Sequence, residues 1–147
     1  MPNHFHLLLS TTAEGCCNQN TPSSTKQPLV QGIALALSTY SQGINKELGR
    51  TGALFQPKTK ARLLTGYCDE YPRTCFHYIH QNPVRAGLAA SLEEWPYSSY
   101  RDYSGFRNGS LCNQVIAGQL LNLPIEPSAF RAESEQSIPL EYVAGLL

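Results

Sequence analysis

Apolar residues fall at positions 29, 33, 37, 40, 44 and 48. This succession of three- and four-residue steps commits twenty consecutive residues to an amphipathic helix. Gly32 and Gly43 weaken it, each by about 1 kcal/mol relative to alanine, and Gly49 ends it. Two other segments follow a period of two. His4 to Leu9 sets Phe5, Leu7 and Leu9 on one face and His4, His6 and Leu8 on the other, and Phe55 to Leu63 sets Phe55, Ala61 and Leu63 against Gln56, Lys58, Lys60 and Arg62. Both read as strands. A second helix is predicted over 72–82. It opens near Pro72 and closes before Pro83, since the residue preceding a proline is pushed out of the helical region. Arg85-Ala86-Gly87 gives the chain an exit, and 111–123 can form a short helix. Strands and helices therefore mix, and the fold class expected is α+β.

The chain is 147 residues long, enough for one domain with a real core. Residues 10–28 are rich in Ser, Thr, Asn and Gln and should be a long loop. Beyond Pro124 the periodic signal fades, so 1–123 is read as the domain and 124–147 as a weakly determined tail. No apolar run approaches the roughly 18 residues a membrane helix needs, and the start Met1-Pro2-Asn3-His4 does not resemble a secretory signal. A soluble, cytoplasmic protein is the expectation. The five cysteines, at 16, 17, 68, 75 and 112, are odd in number and form no C-x-x-C pair. They read as reduced thiols rather than as a disulfide framework or a structural zinc site.

A formal net charge of zero argues against binding nucleic acid by bulk electrostatics, but the charge is unevenly spread. Between Lys46 and Arg85 lie seven basic residues (Lys46, Arg50, Lys58, Lys60, Arg62, Arg73, Arg85) and three acidic ones (Glu47, Asp69, Glu70), a local excess of four positive charges. The tail is acidic. A positive middle third suits a localised anionic partner. Lys58, Lys60 and Arg62 would line one strand face and could follow a phosphate backbone, although an alternating basic face is equally what a solvated strand displays.

His4 and His6 would lie about 7 Å apart on one strand face, a spacing at which two imidazoles can grip one divalent ion. Two solvent-facing histidines would look the same. On the helix, Tyr78 and Asn82 are one turn apart and share a face. Were that face packed against the histidines, the Asn82 oxygen could complete a site of two imidazoles and one oxygen beside the Tyr78 hydroxyl. Mixed nitrogen and oxygen ligation with open positions suits magnesium or manganese. The alternative for Tyr78 is ordinary core packing.

The segment Met1-Pro2-Asn3-His4-Phe5-His6-Leu7-Leu8-Leu9 resembles the metal-binding strand of the bacterial REP-associated tyrosine transposases and of the related small insertion-sequence transposases. Both belong to the HUH superfamily of single-strand DNA endonucleases. Tyr78-Ile79-His80-Gln81-Asn82-Pro83-Val84-Arg85-Ala86-Gly87-Leu88, with Trp95 and Tyr97-Ser98-Ser99-Tyr100 after it, resembles their tyrosine-bearing helix and the segment downstream of that helix. Gly49-Arg50-Thr51-Gly52-Ala53-Leu54-Phe55-Gln56 resembles the link between the two. The matches run in the family's order from residue 1 to about residue 123.

This resemblance implies a ferredoxin-like antiparallel sheet with helices packed on one face. The family's first strand and helix are missing ahead of His4, so the chain reads as truncated at its N-terminus. Carried over residue by residue, His4 and His6 are metal ligands, Tyr78 is the nucleophile and Asn82 the third ligand, with Gln81 a lesser candidate. The implied activity is metal-dependent cleavage and rejoining of single-stranded or hairpin DNA, a transposition chemistry that passes through a 5′-phosphotyrosine link. It uses a divalent cation, Mg²⁺ or Mn²⁺, and no nucleotide cofactor. Lys58, Lys60, Arg62 and Arg85 would hold the strand, and Tyr97 or Tyr100 could stack on bases. The implied setting is the bacterial cytoplasm, on DNA, and a homodimer stays open because the smallest relatives share active sites between two copies. Two other readings remain: a catalytically impaired, truncated remnant that still binds DNA, and a metal-free α+β interaction domain that dimerises through an exposed edge.

Overall fold

A computed structural model describes residues 5–17, 27–55, 60–64 and 70–143. Among these residues the regular structure is helical throughout and no strand forms. The α+β, ferredoxin-like sheet expected from the sequence is thereby overturned. Alternation tells which side chains share a face, but a strand exists only when a neighbour takes up its N–H and C=O groups. Neither 5–10 nor 60–64 lies in such a ladder. Among the described residues no helix is long and apolar enough to cross a membrane.

The chain divides into two compact units, Leu9–Ala61 and a second made of Met1–Leu8 with Arg62–Leu147. The first contains α1 (Ala13–Cys16) and α2 (Pro28–Glu47). α2 matches the predicted periodic segment closely. Pro28 opens it, where a missing N–H costs nothing, and Gly49, with φ +60°, lets the chain leave it. The Asn45 amide then donates to the Gly52 carbonyl at 2.8 Å, closing the turn, and the Tyr40 and Phe55 rings pack at 6.1 Å. None of the α2 side chains is buried.

The second unit is built on α3 (Glu70–Arg85), with α4 (Tyr100–Tyr103), α5 (Gln114–Leu121), α6 (Pro127–Ser134) and α7 (Leu140–Val143). α3 runs through Pro83 instead of stopping before it. Two contacts explain why the proline rule loses here. Asn82 is held by His6, and Gln81 donates to the carbonyls of Ser134 and Gln136. Neighbouring side chains tied down on two flanks keep the backbone helical where proline alone would release it. The helix closes two residues past its end, as the Gly87 N–H donates to the Val84 carbonyl and the Leu88 N–H to the Pro83 carbonyl. Gly87, at φ +69°, supplies the left-handed step this closure requires. α5 is shorter than 111–123, bounded by the Asn113 side chain accepting from the Ile116 N–H and by left-handed Asn122.

The core is Phe76, Tyr100, Leu123 and Phe130, with Leu8, Leu92, Tyr103, Ala117 and Leu121 packed against it. Its rings meet mostly edge to face, Phe76 against Tyr103 at 4.9 Å and against His80 at 4.5 Å, the arrangement that ring quadrupoles favour. Phe130 is 1% exposed. The segment read as a weakly determined tail therefore supplies the innermost aromatic, although 144–147 lie outside the described residues. A loop lock completes the unit. Arg107 donates to both Asp102 oxygens and to the carbonyls of Pro96 and Ser98.

Candidate functional site

α3 buries two faces. Phe76, His77, His80 and Gln81 lie on one, Cys75, Tyr78 and Asn82 on the other, as spacings of three and four dictate. The first face docks the C-terminal half. Glu133 accepts from Arg73 and, at 2.8 Å, pairs with His77 Nε2, while His77 Nδ1 meets the Ser134 hydroxyl at 3.0 Å. Burial holds the His77 imidazolium form down, and Glu133 partly restores it. His80 is buried among aromatic rings, its Nε2 2.8 Å from the Ser99 hydroxyl and its Nδ1 without a partner. Burial pushes its pKa down to about 3, so it stays neutral.

The second face carries the residues singled out for chemistry. The Asn82 amide donates to His6 Nε2 at 3.0 Å, which brings together two of the three expected ligands. The N-terminal segment keeps its period of two but presents the opposite side from the one its hydrophobicity suggests. His6 and Leu8 turn inward while Phe5, Leu7 and Leu9 are exposed. Leu8 reaches the core cluster, and Asn82 gives the imidazole a polar partner that Leu7 could not use. His4 lies outside the described residues.

Tyr78 is 4% exposed. Burial raises its phenol above the ordinary value of 10, and the Arg85 charge pulls it back. The Arg85 guanidinium sits 5.6 Å from the Tyr78 ring centroid and donates to the Ile138 carbonyl at 3.2 Å. Arg62 is exposed, with its guanidinium 5.6 Å from the Tyr71 ring. Tyr71 and Tyr78 are two turns apart on the same face, so two cations bracket it. Lys60 is exposed, and Lys58 lies outside the described residues. Among the described residues 60–64 form no strand, and Arg62 and Arg85 form a pair of cations along this helix face.

Other expectations shift as well. Gln81, the lesser ligand candidate, spends its amide N–H groups on the carbonyls of Ser134 and Gln136 in the C-terminal half. Tyr100 is a core residue and not a stacking platform, whereas Tyr97 is 84% exposed. Sequence reasoning missed the His77, Glu133 and Ser134 cluster. Its member on α3, His77, lies one turn from Gln81 on the face that docks the C-terminal half, but Glu133 and Ser134 lay where the periodicity had faded.

Among the described residues no group of three or more His, Cys, Asp or Glu converges as a metal site. Yet the 3.0 Å between His6 Nε2 and the Asn82 amide matches the separation of about 3 Å between adjacent donors on an ion with bonds near 2.1 Å. A half-turn of the amide would present its oxygen, since the two amide ends are nearly isosteric. One imidazole and one amide oxygen are a donor pair that magnesium or manganese accepts. Comparison with protein-family models, with curated proteins and with solved structures finds no match to this chain.

Proposed function

We propose that the chain is a metal-dependent transposase that cleaves and rejoins single-stranded DNA, with Tyr78 as the nucleophile. The observation that carries this reading is that two contacts lie along one face of α3, His6 with Asn82 and Arg85 with the Tyr78 ring. These residues come from two sequence blocks more than seventy positions apart, and both blocks resemble the same transposase family.

His6 and Asn82, with His4, would hold a divalent cation, Mg²⁺ or Mn²⁺. When bound, the cation supplies charge neutralisation at the scissile phosphate. Tyr78 loses its phenolic proton to solvent, which Arg85 favours through its charge. The phenolate oxygen then attacks phosphorus in line. A bond forms from the tyrosine oxygen to phosphorus, the bond from phosphorus to the 3′ oxygen breaks, and that oxygen leaves as a 3′-OH after taking a proton. The reverse attack by a 3′-OH rejoins the strand without a nucleotide cofactor. Arg62 and Arg85 would steer the backbone.

A specific observation favours a second reading. Burial of Tyr78 and its raised pKa suit a protein that has kept DNA binding and lost cleavage. One experiment separates the two. Full-length protein is incubated with single-stranded DNA and Mn²⁺, and a covalent adduct is sought that Tyr78→Phe removes. An adduct that survives the substitution rejects Tyr78 as nucleophile. Salt-sensitive binding with no adduct selects the binding-only reading, and the absence of both DNA binding and adduct rejects both.

A further inference from the structure

In the second unit Trp95-Pro96-Tyr97-Ser98 forms a tight turn, closed by the Ser98 N–H donating to the Trp95 carbonyl at 3.2 Å. Pro96 takes its second position, where the fixed φ of proline suits a turn. Tyr97 stands third and is 84% exposed. The turn is held on both sides of that residue. Arg107 donates to the Pro96 carbonyl at 2.8 Å and to the Ser98 carbonyl at 3.0 Å. Asp102, itself buried, fixes the guanidinium through both carboxylate oxygens and accepts from the Gly109 N–H. Ser98 is buried as well, its hydroxyl accepting from the Tyr100 N–H at 3.1 Å. An ion pair with a buried carboxylate thus immobilises a surface turn whose apex is a phenol ring in solvent.

The ring is aimed as well as displayed. Its one ring contact among the described residues is Trp95, at 5.5 Å between centroids and 74° between planes. This edge-to-face packing leaves at least one face of Tyr97 open. An aromatic ring left in water gains nothing from burial, and ordering its turn costs conformational entropy. A flat partner that stacks on the ring recovers that cost, because a platform already in its bound form loses little further freedom on binding.

The partner's chemistry follows from what the turn offers. The carbonyls of Trp95, Pro96 and Ser98 are engaged inside it, so the hydroxyls of a sugar or the amides of a peptide find few acceptors beside the ring. The charges of 93–107 are two arginines against three carboxylates, which gives phosphate alone no reason to settle there. What remains is an open π-face, which any nucleobase matches irrespective of sequence. A base within a duplex has both faces covered, so the platform selects single strands. We infer that Tyr97 is a stacking platform for a base of single-stranded DNA, held in its binding conformation by the clamp of Asp102 and Arg107. The inference rests on the proposed single-strand DNA function and adds to it a residue that grips a base without reading its identity.

The test reads binding and needs no cleavage. Full-length protein is titrated with fluorescein-labelled oligo(dT) and with an abasic strand of equal length, which keeps every sugar and phosphate but has no bases. Trp95, the chain's one tryptophan, reports from beside the platform. Oligo(dT) should bind about 10- to 100-fold more tightly than the abasic strand, and it alone should change Trp95 emission. Tyr97→Ala and Tyr97→Leu should weaken oligo(dT) binding by a similar factor with far-UV circular dichroism unchanged. Tyr97→Phe, which keeps the π-face, should bind as the parent does. Equal binding of the two strands, oligo(dT) binding indifferent to Tyr97→Ala, or full retention by Tyr97→Leu would each overturn the inference. Salt-sensitive DNA binding that ignores Tyr97 would remove the platform and leave the DNA reading standing, whereas no binding of either strand would remove both. Tyr97-dependent binding without a covalent adduct at Tyr78 would support the platform and remove cleavage alone.

Discussion

His6 and Asn82, 76 positions apart, meet with the imidazole Nε2 3.0 Å from the side-chain amide nitrogen. In the free protein the imidazole accepts from the amide, so His6 must carry its proton on Nδ1. That tautomer leaves Nε2 ready to bind a cation once the amide turns. Mn²⁺ binding, followed by electron paramagnetic resonance of the free ion, should therefore weaken by about 10- to 100-fold or more in His6→Ala and in Asn82→Ala. Gln81→Ala should leave it unchanged, because that amide is engaged elsewhere. Equal loss in all three variants would indicate unfolding rather than ligation.

The raised Tyr78 phenol makes the proposed cleavage pH-dependent in a defined direction. At neutral pH only the minor phenolate form attacks, so the rate should climb about tenfold per pH unit from roughly pH 6 to 9. Arg85→Gln removes the charge that opposes burial. It should move the phenolate absorbance to higher pH and lower the rate at pH 7. A flat profile would mean that the phenol is not the attacking group.

His80 predicts how stability responds to acid. Its folded pKa is about 3, against 6.5 for the free group. Below pH 6.5 the unfolded chain takes up a proton that the folded chain refuses, so stability falls with pH. The slope approaches about 1.4 kcal/mol per pH unit for one such group, and the loss is complete near pH 3. His77, also depressed by burial, acts in the same direction. His80→Leu should flatten the dependence between about pH 6 and 4 in urea melts. An unchanged slope would mean that His80 titrates normally in the folded protein.

Phe130 tests whether the C-terminal segment belongs to the core. Phe130→Ala should cost about 3–5 kcal/mol by urea denaturation, as for other buried aromatics. Tyr142→Ala, at an exposed position on α7, should stay within about 0.5 kcal/mol. Similar small effects for both would show that the segment does not pack.

Glu133 joins α6 to α3 through Arg73 and His77. Burial alone would raise its carboxyl, but the Arg73 hydrogen bonds and the His77 and Arg73 charges carry it below the usual carboxylate range. Its contribution is therefore present at neutral pH and lost as the pH falls through that depressed value. Glu133→Gln should cost about 1.5–3 kcal/mol at pH 7 and lower the His77 pKa further, since the carboxylate is what raises it. Imidazole proton shifts would report the change, and a His77 that titrates as before would contradict the contact.

Local sequence chemistry determined α2, the exit of α3 and the start of α5, whereas α1, α4, α6 and α7 formed where no periodicity announced a helix. The periodic run that became α2, the Gly87 exit of α3 and the Asn113 cap of α5 all depend on interactions within a few residues, and all are legible in one dimension. The side-by-side placement of Tyr78 and Asn82 was legible for the same reason, because a helix turn sets it. What tertiary structure decided was every choice between equally patterned outcomes. Alternation defines faces but names no partner to complete a ladder, so among the described residues neither 5–9 nor 60–63 forms a strand, and the inward face of the first segment was settled by Asn82 and the core rather than by hydrophobicity. Pro83 stayed helical because His6, Ser134 and Gln136 grip its neighbours from far along the chain. Phe130 became innermost because α3 offered an aromatic face that only three-dimensional packing could bring to it.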